Sequence, residues 1–285
     1  MNKNLDLHRL GMLLRWDALA YGKKYLRNVL ILTFGFSFIC LIYLYNKHGN
    51  TEEALQMMID DYLGNVSGVF MTVSFFVFIF NAASIFANMK TKVSRTTFLM
   101  LPANNIEKYI SRLIYVTVGS LVMMSLAWIL TDIIQFVFSL VMTPGMNGSF
   151  TCFALEQWFS DSAFTGNLVM VNNQAVAANH LTGMLLFISY VVFSHSFFTL
   201  GGSFFRKNAV LCTMAVSFVL AFIIVIVCGW LDASFIKDIV KGWHLHLNSF
   251  IVGFSIFLLA WSVLDYWLAY KLFCRMQVIN NKWLN

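Results

Sequence analysis

Three ionisable side chains lie within long apolar runs: Asp132, His195 and Asp265. Charge in such runs is expensive and rare, and it marks ion or substrate paths, proton relays and structural pairs. Asp132 falls late in its run, near one membrane interface. His195 is flanked by Ser194 and Ser196. It can titrate or line a path, and it can equally be a neutral histidine bonded to a neighbouring helix. Asp265 lies toward the end of the last run, where Lys271 or Arg275 can reach it by snorkelling. Asp132 and His195 are therefore the candidate transport-path residues. His244 and His246 have no evident third ligand, which leaves a metal site weakly supported. No pair of the five cysteines has C-x-x-C spacing. The phosphate-binding pattern G-x-x-x-x-G-K-[ST] does not occur: Gly22-Lys23-Lys24 lacks both the earlier glycine and the hydroxyl that would hold magnesium. H-E-x-x-H and G-x-S-x-G do not occur either. The residues suggest no catalytic set, cofactor or metal, and ATP hydrolysis by this chain is not expected.

Elements that could position these residues follow from composition. The chain is 59% hydrophobic and 11% charged, against about 25% charged in an ordinary soluble domain. Lipid must cover much of that apolar surface. A spanning helix needs about 20 apolar residues, and six candidates are present: 28–46, 67–88, 113–142, 181–204, 209–230 and 250–271. The expected fold is thus an all-α integral membrane protein with six transmembrane helices. Of the 19 Lys and Arg residues, only Lys47, Lys237 and Lys241 fall on one side of that arrangement. The positive-inside rule then puts both termini in the cytoplasm. The net charge of +6 fits an anionic bilayer face and does not call for nucleic acid.

Three segments outside the spans carry pattern. In residues 1–27, Leu7, Leu10, Leu14, Ala18, Tyr21 and Tyr25 share one helical stripe, with Arg9, Arg15, Lys23 and Arg27 off it. This predicts an amphipathic helix on the cytoplasmic lipid surface; the plainer alternative is a basic flank. In 89–112, Pro102 predicts a break, preceded by a short helix near 93–100. Asn104 and Glu107 stand in capping-box register, starting a helix that runs into the membrane. The stretch Phe98-Leu99-Met100-Leu101 is too apolar for a solvated linker and suits a docking surface. The loop 143–180 opens on the turn signal Thr143-Pro144-Gly145, and its portion 150–159 is apolar enough to rest on the bundle or the membrane. A short helix from Asp232 to Gly242 is also expected. The organisation is then 1–27 interfacial segment, 28–271 transmembrane domain and 272–285 cytoplasmic tail.

The N-terminal amphipathic segment, the stretch from Arg95 to Arg112 (RTTFLMLPANNIEKYISR) and the turn Leu200–Asn208 (LGGSFFRKN) together resemble the permease subunits of bacterial ABC-2-type ABC transporters. The resemblance covers most of the chain by topology and about thirty residues by motif. It implies a separate ATP-binding cassette ATPase, a second permease copy as homodimer or heterodimer, and location in the bacterial cytoplasmic membrane. It also implies that the segment from Arg95 to Lys108 is a coupling helix, with Phe98 and Leu99 docking and Arg95, Glu107 and Lys108 pairing with the ATPase. The segment between helices five and six is shorter than that pattern suggests, and the one between three and four is longer. Two other classes stay open: a non-transporting sensor or assembly protein using the same loops, and a membrane-embedded enzyme acting on lipids.

Overall fold

The computed structural model describes residues 6–47, 54, 58–89, 91–143, 148–159, 167–171, 174–177, 179–205, 207–230 and 247–275. In chain order the elements are α1 (Leu7–Lys47), α2 (Ile59–Ala83), a 3-10 turn (Ala87–Met89), α3 (Lys92–Leu99), α4 (Asn105–Met142), α5 (Phe150–Phe159), β1 (Asn167–Val171), β2 (Gln174–Ala177), α6 (His180–Phe204), α7 (Ala209–Trp230) and α8 (Leu247–Cys274). The strands pair antiparallel as a hairpin, which the sequence did not announce. Six helices (α1, α2, α4, α6, α7 and α8) are long and apolar enough to cross a membrane. The chain is a multi-pass helical membrane protein. The short helix expected over 232–242 lies outside the described residues.

Three expected boundaries move, α2 also beginning at Ile59 rather than near 67. α1 continues unbroken from Leu7 into the first span: no proline falls within it to break the ladder, and Gly22 is carried inside the helix. Its first half packs on α4: Tyr25 Oη donates to the Gly119 carbonyl at 2.7 Å, and Tyr21 meets Tyr115 ring to ring at 6.0 Å. The buried positions there are Leu10, Leu13 and Asp17, while Leu7 stays exposed. The apolar stripe therefore faces protein as well as lipid. α2 ends at Ala83 rather than near 88, where tighter bonds from Ser84 N to the Asn81 carbonyl and from Ile85 N to the Ala82 carbonyl replace the α ladder.

The chain forms two compact units. One comprises Asn4–Phe78 with Ile114–Ser160. Its core is aromatic and centred on Phe70, which stacks on Phe36 at 4.1 Å and takes Phe150 edge-on at 4.6 Å. Between lipid-embedded helices, packing and ring geometry do the work that the hydrophobic effect does in water, at about 0.5–1.5 kcal/mol per aromatic pair. Trp128 Nε1 adds a bond to Ser74 Oγ at 3.0 Å. Phe150, the first residue of α5, is fully buried, so this loop rests on the bundle. Thr131, Gln135 and Ser139 on α4, and Thr143 just past its end, follow at four-residue spacing, none more than 1% exposed. Neither amide atom of Gln135 has a hydrogen-bond partner among the described residues.

The other unit holds Ile79–Leu113 and Asp161–Asn285. α6 and α8 run parallel and close together. Asn248 Oδ1 accepts from Asn179 N at 3.0 Å and from Thr182 Oγ1 at 3.1 Å, tying their first turns. Ser189, Thr199 and Ser203 on α6 and Ser255 and Ser262 on α8 are buried. Each donates its hydroxyl to a carbonyl one turn back in its own helix. Their polar atoms are satisfied locally, so they act as small residues that let the backbones approach.

Candidate functional site

The segment between α2 and α4 is held by its own residues. Thr91 caps α3: its Oγ1 accepts from Ser94 N at 3.2 Å, satisfying an orphan donor of the first turn. α3 stops at Leu99, and the turn over 101–103 contains Pro102. Glu107 Oε2 then accepts from Asn104 N at 2.9 Å, the reach-back half of a capping box. Lys108 Nζ crosses the break and donates to the Leu99 carbonyl at 2.7 Å. A single lysine thus ties the end of α3 to the start of α4.

Phe98 faces inward and is 1% exposed. The Arg112 guanidinium lies over its ring, 4.7 Å from the centroid, and Phe273 near the end of α8 packs against it at 6.4 Å. Phe273 also stacks on Phe86 with centroids 5.0 Å apart and planes 3° apart. Arg95, Glu107 and Lys108 are buried too. Of the residues expected to meet a partner, Arg95, Phe98, Glu107 and Lys108 are turned into the chain's own fold, and Leu99 is half-buried. The exposed side chains of the segment are others: Val93 at 77%, Met100 at 75% and Ile106 at 38%, together with Lys92 and Thr97.

From this segment a line of contacts leads into the spans. Tyr109, one residue past Lys108, packs on Phe273 and Tyr270. Its Oη donates to the Tyr266 carbonyl at 3.0 Å. The Tyr266 hydroxyl lies 2.8 Å from His195 Nδ1, with the direction of donation set by the histidine tautomer. One residue along each helix, Ser196 Oγ donates to Asp265 Oδ2 at 3.3 Å. His195, Ser196 and Asp265 are buried. The structure thus puts His195 in the interhelical bonded arrangement that was one of its two sequence alternatives. Ser196 pairs with Asp265, and His195 with Tyr266. The two pairs sit side by side without forming a Ser–His–Asp relay.

Asp265 does not reach Lys271. That ammonium instead sits 3.6 Å above the Trp267 ring, a cation–π contact that holds it beside its own helix. Asp132 belongs to the other unit. Its Oδ2 accepts a short hydrogen bond from Ser149 Oγ, while Ser149 Oγ accepts from Cys152 N at 3.1 Å as the cap of α5. Asp132 therefore fastens the α5 cap to α4. Cys152 is a free thiol.

Tyr266 and Phe273 belong to no motif in the sequence, and Tyr109 lies inside the Arg95–Arg112 stretch. Their connecting role depends on the register between helices distant in sequence, for which a single sequence carries no signal. Among the described residues no group of three His, Cys, Asp or Glu side chains is placed to hold a metal. In comparisons with known proteins, no family model, curated protein or solved structure matches the chain.

Proposed function

We propose that this chain is the membrane-spanning permease subunit of an ATP-driven ABC transporter, working as an exporter in the bacterial cytoplasmic membrane. Both termini face the cytoplasm, the ATPase is a separate chain, and a second permease, identical or not, completes the pathway. The observation that supports this best is the build of the segment between α2 and α4. α3 is a short helix with buried anchors (Phe98, Arg95) and an exposed apolar face (Val93, Met100), on the side of the chain where the Lys and Arg residues concentrate. A solvated turn needs neither feature. A coupling helix that must hold its shape while pressed by a partner needs both.

In this proposal Val93, Thr97, Met100 and Ile106 touch the ATPase. Phe98, Glu107 and Lys108 keep the helix rigid from behind, and the Leu99 carbonyl supplies the anchor for Lys108. ATP-driven closure pushes on α3. The push passes through Phe98 and Phe273 to α8, and through Lys108 and Tyr109 to the Tyr266–His195 pair. Rocking of the permease halves then alternates access to the space between them.

A pull-down of the tagged protein in mild detergent, followed by mass spectrometry, tests this. A stoichiometric ATP-binding protein is expected. Its reproducible absence, with the chain intact, would overturn the proposal.

A further inference from the structure

A cavity of about 240 Å³ opens within the unit that holds α3 and α6–α8. Its walls come from the end of α2 and the turn after it, from α3, from the end of α6 and from the first turn of α7. That volume corresponds to several waters at about 30 Å³ each, enough for a phosphoryl group with part of a glycerol. Arg95 is the only charged side chain among the described lining residues, and it is 6% exposed. No carboxylate lines the space among those residues.

The wall opposite α3 is backbone. A Cβ on Gly202 would come within 2.3 Å of the Ala83 carbonyl oxygen, so the helices touch there without side chains between them. Asn208 turns the chain with φ of 52°, a conformation that asparagine tolerates better than most residues. This turn brings Ala209, Val210 and Leu211 to the cavity. The N–H groups of a helix's first turn have no carbonyl in their own helix to bond, and they carry the positive end of the helix dipole. The cavity is thus lined by a buried arginine, the first turn of a helix and apolar side chains.

Its exit is apolar. Leu211 is 65% exposed, and Phe218 and Phe222 on the same face of α7 are 69% and 67% exposed. With the exposed Ala215 between them, these residues form one track at helical spacing, starting at the cavity and running along the span.

We propose that this cavity binds the phosphoryl head group of an anionic membrane lipid, with Arg95 on the phosphate and the acyl chains along Leu211, Phe218 and Phe222. A free phosphate shares the head-group chemistry but has no use for the apolar track. The site does not depend on the transporter assignment. It requires only that the chain lies in a bilayer.

Native mass spectrometry and thermal unfolding of the full chain in mild detergent test the site, with phosphatidylglycerol, phosphatidylcholine and inorganic phosphate added separately. Phosphatidylglycerol is expected to stay bound and raise the unfolding midpoint, and phosphatidylcholine to do neither. Arg95→Gln removes a charge-assisted contact and should weaken retention about tenfold. Leu211→Asn alters an exposed position, so it probes the track even if Arg95→Gln fails to fold, and it should also weaken retention. Equal retention of both phospholipids, or retention unchanged in either variant, would overturn the proposal. Displacement of the lipid by equimolar inorganic phosphate would overturn it in favour of a free-anion site.

Discussion

Tyr109 at the start of α4 hydrogen-bonds to the main chain of Tyr266 in the middle of α8: its phenol donates to the Tyr266 carbonyl at 3.0 Å. A carbonyl inside a helix already accepts from its own ladder, so the phenol uses the second lone pair. The same Tyr266 presents its hydroxyl to His195 on α6. One residue thus joins three helices, through its backbone on one side and its side chain on the other.

Tyr109→Phe keeps the ring contacts with Phe273 and Tyr270 and loses only the bond, at about 0.5–1.5 kcal/mol. If the chain works as proposed, membrane abundance and association with the partner ATPase should stay at wild-type levels, while ATP hydrolysis coupled to transport falls severalfold. Hydrolysis at the wild-type rate would remove this link from the coupling route.

Exposed and buried residues of α3 should separate cleanly. Val93→Asp and Met100→Asp alter side chains that are 77% and 75% exposed. They should leave thermal stability unchanged and, under the proposed function, abolish co-purification of a partner ATPase. Phe98→Ala empties the site between Arg112 and Phe273 and should destabilise by about 3–5 kcal/mol. It should appear in limited proteolysis as new cleavage between residues 90 and 104. If Phe98→Ala and Met100→Asp gave the same protease pattern, the division into anchor and docking faces would be wrong.

Glycine at 202 is there for proximity. Gly202→Ala places a methyl 2.3 Å from the Ala83 carbonyl oxygen, and only a shift of backbone can relieve that. Folded yield, read by fluorescence-detected size exclusion, should drop sharply. Gly68→Ala is the control: no atom lies within 4 Å of its Cβ, and alanine is about 1 kcal/mol better than glycine in a helix. It should express at or above the wild-type level.

Gln135 is 1% exposed with both amide atoms lacking partners among the described residues. A polar group left unbonded in a buried site costs about 1–3 kcal/mol. Gln135→Leu, close in volume, should raise the unfolding midpoint of the purified chain. A lowered midpoint would mean that the amide has a partner in the membrane-embedded protein, such as an ordered water.

The spans were legible because each carries about twenty apolar residues, and a helix in lipid has no alternative partner for its backbone. The break at Pro102 and the Asn104–Glu107 bond were legible because their physics is local, within four residues. The direction in which side chains point was not. Phe98, Glu107 and Lys108 look like a docking set by type, yet burial turns them inward and leaves Val93 and Met100 outside. The same limit hid the His195–Tyr266 and Ser196–Asp265 pairs. They require that α6 and α8 be parallel and set to one register, and that depends on small residues such as Ser189 and Ser255 packing across the whole interface. α1 runs through residue 27 without a break for a local reason: no proline separates the N-terminal stripe from the span, and Gly22 by itself does not stop the helix.

Unbroken from Leu7 to Lys47, α1 is roughly 60 Å long at 1.5 Å per residue, about twice the hydrocarbon thickness of a bilayer. Half of it must therefore project into water or head groups as an arm fixed to the embedded half. A tilt of about 10° in the embedded half would swing the far end sideways by about 5 Å over a 30 Å arm. Slight rearrangements among the spans would thus be magnified at the N-terminal end, where a probe on His8 would report them more strongly than one inside the membrane.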